Sequence, residues 1–78
     1  MSMKDKFPIE NSFDRNRHGS LYDRGSADSW YRRSPVPHWY PNGTLNDPKI
    51  EDLTEEQIAE YNAGYSDNEE FGDRKDWD

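Results

Sequence analysis

Residues 53–65, with the sequence LTEEQIAEYNAGY, carry the strongest local signals in the chain and constrain its fold more than any other segment. Thr54 is a favourable N-cap, and Gln57 three residues later completes a capping box, in which each side chain bonds the other residue's backbone N–H. Leu53 and Ile58 have the spacing of a hydrophobic staple around the same cap. These independent signals predict a helix that begins directly after Thr54.

The apolar residues of this helix indicate which side it buries. Ile58, Tyr61 and Tyr65 recur at helical spacing and form one apolar stripe. The stripe supports a helix over residues 54–67, and Gly72 is a natural stop for any continuation.

A second helix is predicted earlier in the chain, within residues 20–33, SLYDRGSADSWYRR. Ser20 can act as its N-cap, and Tyr22 and Trp30 lie in one row at helical spacing. The chain is therefore expected to contain two helices.

Each predicted helix contains a group of small side chains. The earlier helix has the run Gly-Ser-Ala at 25–27, and the later one has the pair Ala-Gly at 63–64. Small side chains allow two backbones to approach closely. We expect the helices to pack at these groups, with Trp30, Tyr61 and Tyr65 meeting beside them.

The segment between the helices, residues 34–48, cannot be helical because it contains four prolines. Asn42-Gly43, directly after Pro41, is a turn signal that would return the chain to Leu45 and Ile50. Loops of this length without regular structure are usually functional or disordered. The sequence predicts an extended connector that ends in a turn.

These elements predict a small all-α fold, in which two helices are joined by an extended connector rich in proline and aromatic residues. Residues 1–19 show neither helical nor strand periodicity and are expected to be a flexible arm. Residues 20–72 are expected to form a helix–connector–helix mini-domain, and residues 73–78 a flexible acidic tail.

The composition leaves little aliphatic material for a core. Ile, Leu, Val and Phe number ten in 78 residues, below the roughly 20% at which disorder becomes a serious alternative for a charged chain, and the net charge is −7. Eleven aromatic residues offset this shortage, since each ring can bury about 150–250 Å². The rings could form a small core or be held for a partner's surface.

The sequence also indicates where the protein works. It contains no cysteine, so it has no disulfide framework and no Cys-ligated zinc. The N-terminal residues lack the apolar run of a signal peptide, and no transmembrane segment is apparent. We expect a soluble cytoplasmic protein with no membrane association.

The connector concentrates aromatic surface at His38-Trp39-Tyr40. In a chain poor in aliphatic residues we expect Trp39 to be buried in the core. Neighbouring side chains on an extended segment point to opposite sides, so His38 and Tyr40 would face solvent beside Arg32 and Arg33. The predicted partner-binding patch is Arg32, Arg33, His38 and Tyr40.

Other interpretations of these residues stay open. Trp39 and Tyr40 could both fold inward as core. Arg24, Arg32 and Arg33 could contact phosphate while nearby rings stack on bases, or they could pair with the acidic later helix. Because phosphate contacts dominate the affinity for nucleic acid and the net charge is −7, we do not expect direct nucleic-acid binding.

Charge is unevenly distributed along the chain, with net +2 over residues 1–45 and net −9 over residues 46–78. The acidic half could be a solvated surface, or it could imitate a nucleic-acid backbone and occupy a nucleic-acid-binding protein. The carboxylates of this alternative face are Glu55, Glu56, Glu60, Asp67, Glu69 and Glu70.

Nothing in the sequence indicates catalysis. Its two histidines, His18 and His38, lie in predicted loops, and there is no glycine-rich phosphate loop and no metal-ligand spacing. We expect no enzyme activity, no metal and no cofactor.

Several motifs resemble those of a known group of proteins. The chain carries RGSADSWY, a Pro-His-Trp-Tyr turn, the helix LTEEQIAEYNAGY and the ending KDW. In order and spacing, over about residues 23–77, they resemble a family of small uncharacterised acidic proteins from tailed-phage genomes. The resemblance implies a phage-type accessory protein and carries no established activity.

The layout also resembles ribosome modulation factor, a small two-helix protein with a Gly/Ala-rich first helix and an aromatic-proline connector. That resemblance implies binding to ribosomal RNA and proteins. The residues that match are Arg24, Gly25, Ala27, Pro37, Tyr40, Tyr61 and Gly64.

Together these features predict a non-enzymatic accessory protein that binds a host protein or ribonucleoprotein complex, such as the ribosome, through the basic-aromatic patch. The acidic mimic is one alternative. A structural or virion-associated protein with no independent activity is the other.

Overall fold

A computed structural model describes residues 9–71 of the chain, with side chains to residue 70. It contains three helices, α1 (Ile9–Ser12), α2 (Leu21–Trp30) and α3 (Glu55–Phe71). Residues 9–71 form no strand, and a single antiparallel bridge joins Trp39 to Ile50. The prediction of a small helical protein is confirmed, with one short helix more than expected.

The capping box at the start of α3 is confirmed. The Thr54 N–H donates to Gln57 Oε1 at 2.9 Å, and the Gln57 N–H donates to Thr54 Oγ1 at 3.2 Å. The helix continues beyond residue 67 to Phe71, and Gly72 lies outside the described residues. The reciprocal bonds satisfy two backbone donors that a helix start otherwise leaves unpaired.

The apolar stripe predicted for α3 is wrong at its first member. Tyr61 is fully buried and Tyr65 packs partly against the core, but Ile58 is exposed. Leu53 packs against the core without burying Ile58. The reason is that Gly64 and Tyr61 face α2, so the contact face is rotated away from Ile58.

Helix α2 has well-defined caps at both ends. Its N-cap Ser20 accepts the Asp23 N–H at its side-chain oxygen. At the other end, the Arg32 N–H bonds the Ser29 carbonyl and the Arg33 N–H bonds the Asp28 carbonyl. These bonds form a Schellman motif, whose left-handed position is usually occupied by glycine. Here Arg32 occupies it, with φ of 60°.

Helices α2 and α3 pack at the small residues, as predicted. A Cβ added to Gly25 would lie 2.1 Å from the Tyr61 carbonyl oxygen, and one added to Gly64 would lie 2.2 Å from the Tyr22 carbonyl oxygen. The Ser26 hydroxyl also donates to the Gly64 carbonyl at 3.2 Å. At this crossing the two backbones are in direct contact.

The expected meeting of Trp30 with Tyr61 and Tyr65 is wrong, because Trp30 is exposed at the end of α2. The buried residues of α2 are Leu21, Arg24, Gly25, Asp28 and Ser29. This buried face is mostly polar, and it is rotated by one residue from the aromatic row used to predict it.

Residues 1–19 were expected to be a flexible arm; residues 9–19 contain α1 and contact the helix pair, and residues 1–8 lie outside the described residues. Ser12 is fully buried and its hydroxyl accepts from the Gln57 side chain at 3.2 Å. Phe13 packs against the core, and Arg15 forms a double hydrogen bond with Glu60. These polar contacts have no hydrophobic period, which explains why sequence periodicity did not indicate them.

The connector crosses the helix pair as an extended segment and then turns. Trp39 and Ile50 exchange backbone hydrogen bonds of 3.1 and 2.9 Å, and the Gly43 N–H bonds the Tyr40 carbonyl to close the predicted turn. Trp39 joins Leu21 and Tyr61 in the buried core cluster, as expected. The tail predicted at residues 73–78 lies outside the described residues.

None of the described helices combines the length and apolar character needed to cross a lipid bilayer.

Candidate functional site: a basic cavity beside the connector

A cavity of about 360 Å³ opens between the connector and the second half of α2. The connector supplies its aromatic and apolar walls, and α2 with the residues after it supplies most of its charged groups. Its lining residues are Arg24, Asp28, Arg33, Ser34, Val36, His38, Tyr40, Leu45 and Lys49.

The cavity has the opposite charge to the whole chain. Arg24, Arg33 and Lys49 contribute three positive charges, and Asp28 contributes one negative charge, for net +2. The complete sequence has net charge −7. A local excess of cations in an acidic protein attracts anionic groups to this one place.

His38 is held as a neutral imidazole. Arg24 Nε, which is always protonated, donates to His38 Nε2 at 3.2 Å, so Nε2 must be an acceptor. Nδ1 therefore carries the proton and donates to the Val36 carbonyl at 2.7 Å. Burial lowers the pKa of His38 from its ordinary value and outweighs the bond to the Val36 carbonyl and the charge of Asp28, which raise it; the charges of Arg24 and Lys49 lower it further.

Asp28 is the buried carboxylate of the site. Its Oδ2 accepts the Tyr61 hydroxyl, which in turn accepts the Val36 N–H at 3.2 Å. Its Oδ1 faces two guanidinium groups, 3.7 Å from Arg24 and 3.6 Å from Arg33. Burial, together with the bond to Asp28, raises the pKa of the Tyr61 hydroxyl, so the hydroxyl stays protonated.

Arg24 has unused hydrogen-bonding capacity directed at the cavity. Its side chain is only 8% exposed, yet its ion pair with Asp28 is too long for a hydrogen bond. Within the described residues the only hydrogen bond of the Arg24 side chain is the one from Nε to His38. Its terminal nitrogens are thus donors without a hydrogen-bond partner among these residues, and they remain accessible from the open cavity.

The rim of the cavity combines charge with apolar surface. Arg33 is largely exposed and its guanidinium lies 4.9 Å from the centre of the Tyr31 ring. Val36 is half exposed, and Leu45 is 76% exposed with a left-handed φ of 66°. An apolar side chain held outward in a costly backbone conformation is unusual for a residue without a contact to make.

The predicted exposure of the patch is wrong for two of its four residues. Arg32 and Arg33 are exposed as expected, but His38 and Tyr40 are only 4% and 9% exposed. The connector is covered on both sides, because the Tyr40 N–H bonds the Gly19 carbonyl while Trp39 enters the core. His38 and Tyr40 therefore line the cavity instead of projecting from the surface.

Several residues of the site were not predicted from the sequence as parts of it. Asp28 and Lys49 were not predicted as site residues, and Arg24 was not predicted to be a hydrogen-bond donor in a cavity. The i,i+4 spacing of Arg24 and Asp28 on α2 was the available signal. The alternative that the arginines pair with the later helix is wrong for Arg24 and Arg33, because both face Asp28 on α2.

The acidic residues proposed as a nucleic-acid mimic do not form one free surface. Glu60 is bonded to Arg15, Asp67 accepts the Tyr22 hydroxyl at 2.6 Å, and Glu69 accepts the Ser29 hydroxyl. The remaining three, Glu55, Glu56 and Glu70, are exposed. Half of the proposed set thus stabilises the fold of its own chain.

No group of three or more acidic or histidine side chains with the arrangement of a metal site occurs among the residues that the structure describes. Comparison of the chain with protein-family models, curated proteins and solved structures finds no match.

The neutral state of His38 predicts how stability depends on pH. Below about pH 6.5 an unfolded chain takes up a proton on this histidine, whereas the folded chain, with its lowered pKa, does not. The free energy of unfolding should therefore fall as the pH decreases through about 6.5 towards the lower folded pKa. Urea denaturation from about pH 8 to 5 measures this dependence.

The variant His38→Gln is the control for this pH dependence. Glutamine does not titrate and keeps an acceptor for Arg24. Its stability should be nearly constant over the interval in which the parent loses stability. An equal pH dependence in parent and variant would contradict the assignment of that loss to His38.

Proposed function

We propose that this chain is a non-enzymatic accessory protein that binds a macromolecular complex of a host cell, a protein or ribonucleoprotein assembly. The contact surface is the basic face formed by Arg32 and the cavity rim of Arg33, Val36, Leu45 and Lys49. The observation that carries the proposal is the backbone conformation of Arg32.

Arg32 occupies a position that suits glycine. A non-glycine residue in the left-handed region costs roughly 1–2 kcal/mol, and glycine is the usual residue at this point of a Schellman motif. The Arg32 side chain is exposed, and within the described residues it makes no hydrogen bond or ion pair. Among these residues the side chain adds no hydrogen bond or ion pair that would offset the backbone strain, which supports a role in contacting another molecule.

The surroundings of Arg32 support the same role. Arg33 is stacked beside the Tyr31 ring, and Leu45 projects from a second left-handed position at the rim. Arginine and aromatic side chains are enriched among the residues that dominate protein interfaces. The net charge of −7 supports a partner recognised at this one basic face, not along an extended nucleic acid.

The variant Arg32→Gly tests the proposal. We expect its free energy of unfolding to rise by about 0.5–1 kcal/mol, because the strained residue is replaced by one that accepts the left-handed conformation. Capture of a partner from host lysate by the immobilised protein should decrease at the same time. Denaturant titration and quantitative affinity purification measure the two effects.

Arg32→Lys is the matched control, since it keeps both the charge and the left-handed strain. It should resemble the parent in stability and in capture. A gain in stability without any loss of capture in Arg32→Gly would contradict the proposed contact. Treating the lysate with nuclease should leave capture of a protein partner unchanged.

A further inference from the structure

We infer that the cavity binds a carboxylate carried next to an apolar side chain, in an acidic-apolar peptide segment of the partner protein. This inference rests on the proposed function and specifies the chemistry of its partner. Three features of the site carry it: the cationic groups, the fixed position of Arg24, and the apolar rim.

The cationic groups provide the attraction for a carboxylate. Arg24 and Arg33 converge on Asp28, yet both ion pairs are longer than 3.5 Å, so Asp28 does not satisfy their terminal donors. Lys49 adds a third charge to the cavity wall. Guanidinium groups bind carboxylates through paired, charge-assisted hydrogen bonds.

Arg24 is positioned in advance of binding. Its Nε is fixed by His38, whose other nitrogen is fixed by the Val36 carbonyl, and its guanidinium lies 5.5 Å from the centre of the Tyr40 ring. A long side chain normally loses rotamer freedom when it binds a ligand, and a side chain that is already ordered loses less. Arg24 is therefore a preorganised hydrogen-bond donor for an anion in the cavity.

The rim distinguishes this ligand from a simple inorganic anion. Val36 and Leu45 are exposed apolar side chains on the cavity lining, and Tyr40 adds an aromatic wall. A phosphate ion has no apolar part to cover them.

The test uses the purified full chain and three small probes. N-acetyl-L-leucine joins a carboxylate to an apolar side chain, N-acetyl-L-leucinamide is the same molecule without the charge, and inorganic phosphate is an anion without the apolar part. In nitrogen-15 NMR titrations we expect N-acetyl-L-leucine to shift the signals of His38, Tyr40 and Lys49 saturably. For a ligand of this size the dissociation constant should be in the millimolar range.

Two variants locate the binding. Arg33→Gln should weaken the binding of N-acetyl-L-leucine about three- to tenfold, because the substitution removes one charged donor at a partly exposed position. Arg17→Gln removes the same charge at an exposed position that belongs neither to the cavity lining nor to the proposed contact surface, and should bind the probe like the parent. Both sites are exposed, so the folded state should persist in each variant.

Equal binding of the leucinamide, stronger binding of phosphate, or parental affinity in Arg33→Gln would each overturn the inference. Failure of the probe to bind, while Arg32→Gly still loses partner capture, would also overturn it and leave the proposed function standing. Binding of the probe with unchanged capture in Arg32→Gly would support the cavity's ligand chemistry and contradict the proposed contact.

Discussion

Replacing Gly25 with alanine is expected to unfold most of the protein. The added Cβ would lie 2.1 Å from the Tyr61 carbonyl oxygen and 2.9 Å from the Tyr65 backbone nitrogen, so the two helices would have to separate. We expect a loss of about 3 kcal/mol, at the upper end of the usual cost of overfilling. Small domains without covalent staples rarely have more than about 3–5 kcal/mol from their core. Circular dichroism and denaturant titration would measure the loss.

The control for Gly25→Ala is Asn62→Ala, at an exposed position on α3. Alanine is the better helix former in both cases, by about 1 kcal/mol over glycine and by less over asparagine. Propensity alone therefore predicts that both variants are stabilised. Gly64→Ala should behave like Gly25→Ala, since its Cβ would meet the Tyr22 carbonyl. Parental stability in both glycine variants would rule out the backbone contact.

Replacing Asp28 with alanine is expected to have the second large effect. Asp28 is buried, and it is the counter-charge of the buried Arg24 and the acceptor of the Tyr61 hydroxyl. Removing one partner from a buried ion pair leaves the other charge uncompensated, which typically costs about 3–5 kcal/mol. Denaturant titration at neutral pH gives the change in the free energy of unfolding.

The control variant Asp52→Ala removes one negative charge at an exposed position shortly before α3. Both substitutions reduce the net charge of −7 by one, so relief of overall repulsion would stabilise both equally. We expect Asp52→Ala to stay within about 0.5 kcal/mol of the parent. A similarly small change in Asp28→Ala would show that Asp28 does not compensate Arg24.

Local rules predicted the parts of this fold that depend on local geometry. The capping box of Thr54 and Gln57 needs only neighbouring residues, and the turn at Asn42-Gly43 needs only the conformations open to those residues. The close helix contact followed from two groups of small residues, because small side chains allow two backbones to approach closely. Burial of Trp39 followed from the shortage of aliphatic side chains.

The rest depended on polar burial, which periodicity does not detect. Arg24 and Asp28 lie on the buried face of α2, so a face assigned from aromatic residues placed Trp30 inside incorrectly. The prediction that His38 and Tyr40 face outward relied on the alternation of side chains along an extended segment. It assumes that one side of the connector faces solvent. That assumption fails because the connector is covered from both sides, which also creates the cavity.

The polar contacts between the two halves of the chain have a consequence for how the protein folds. Ser12 with Gln57, Arg15 with Glu60, and Tyr22 with Asp67 each join residues 45 positions apart. Helical proteins usually fold fast because their contacts are local, whereas here a long loop must close before the helices gain anything from meeting. We therefore expect the folding rate of this chain to be set by the closure of the loop that contains the proline-rich connector. The formation of the individual helices should contribute little to that rate.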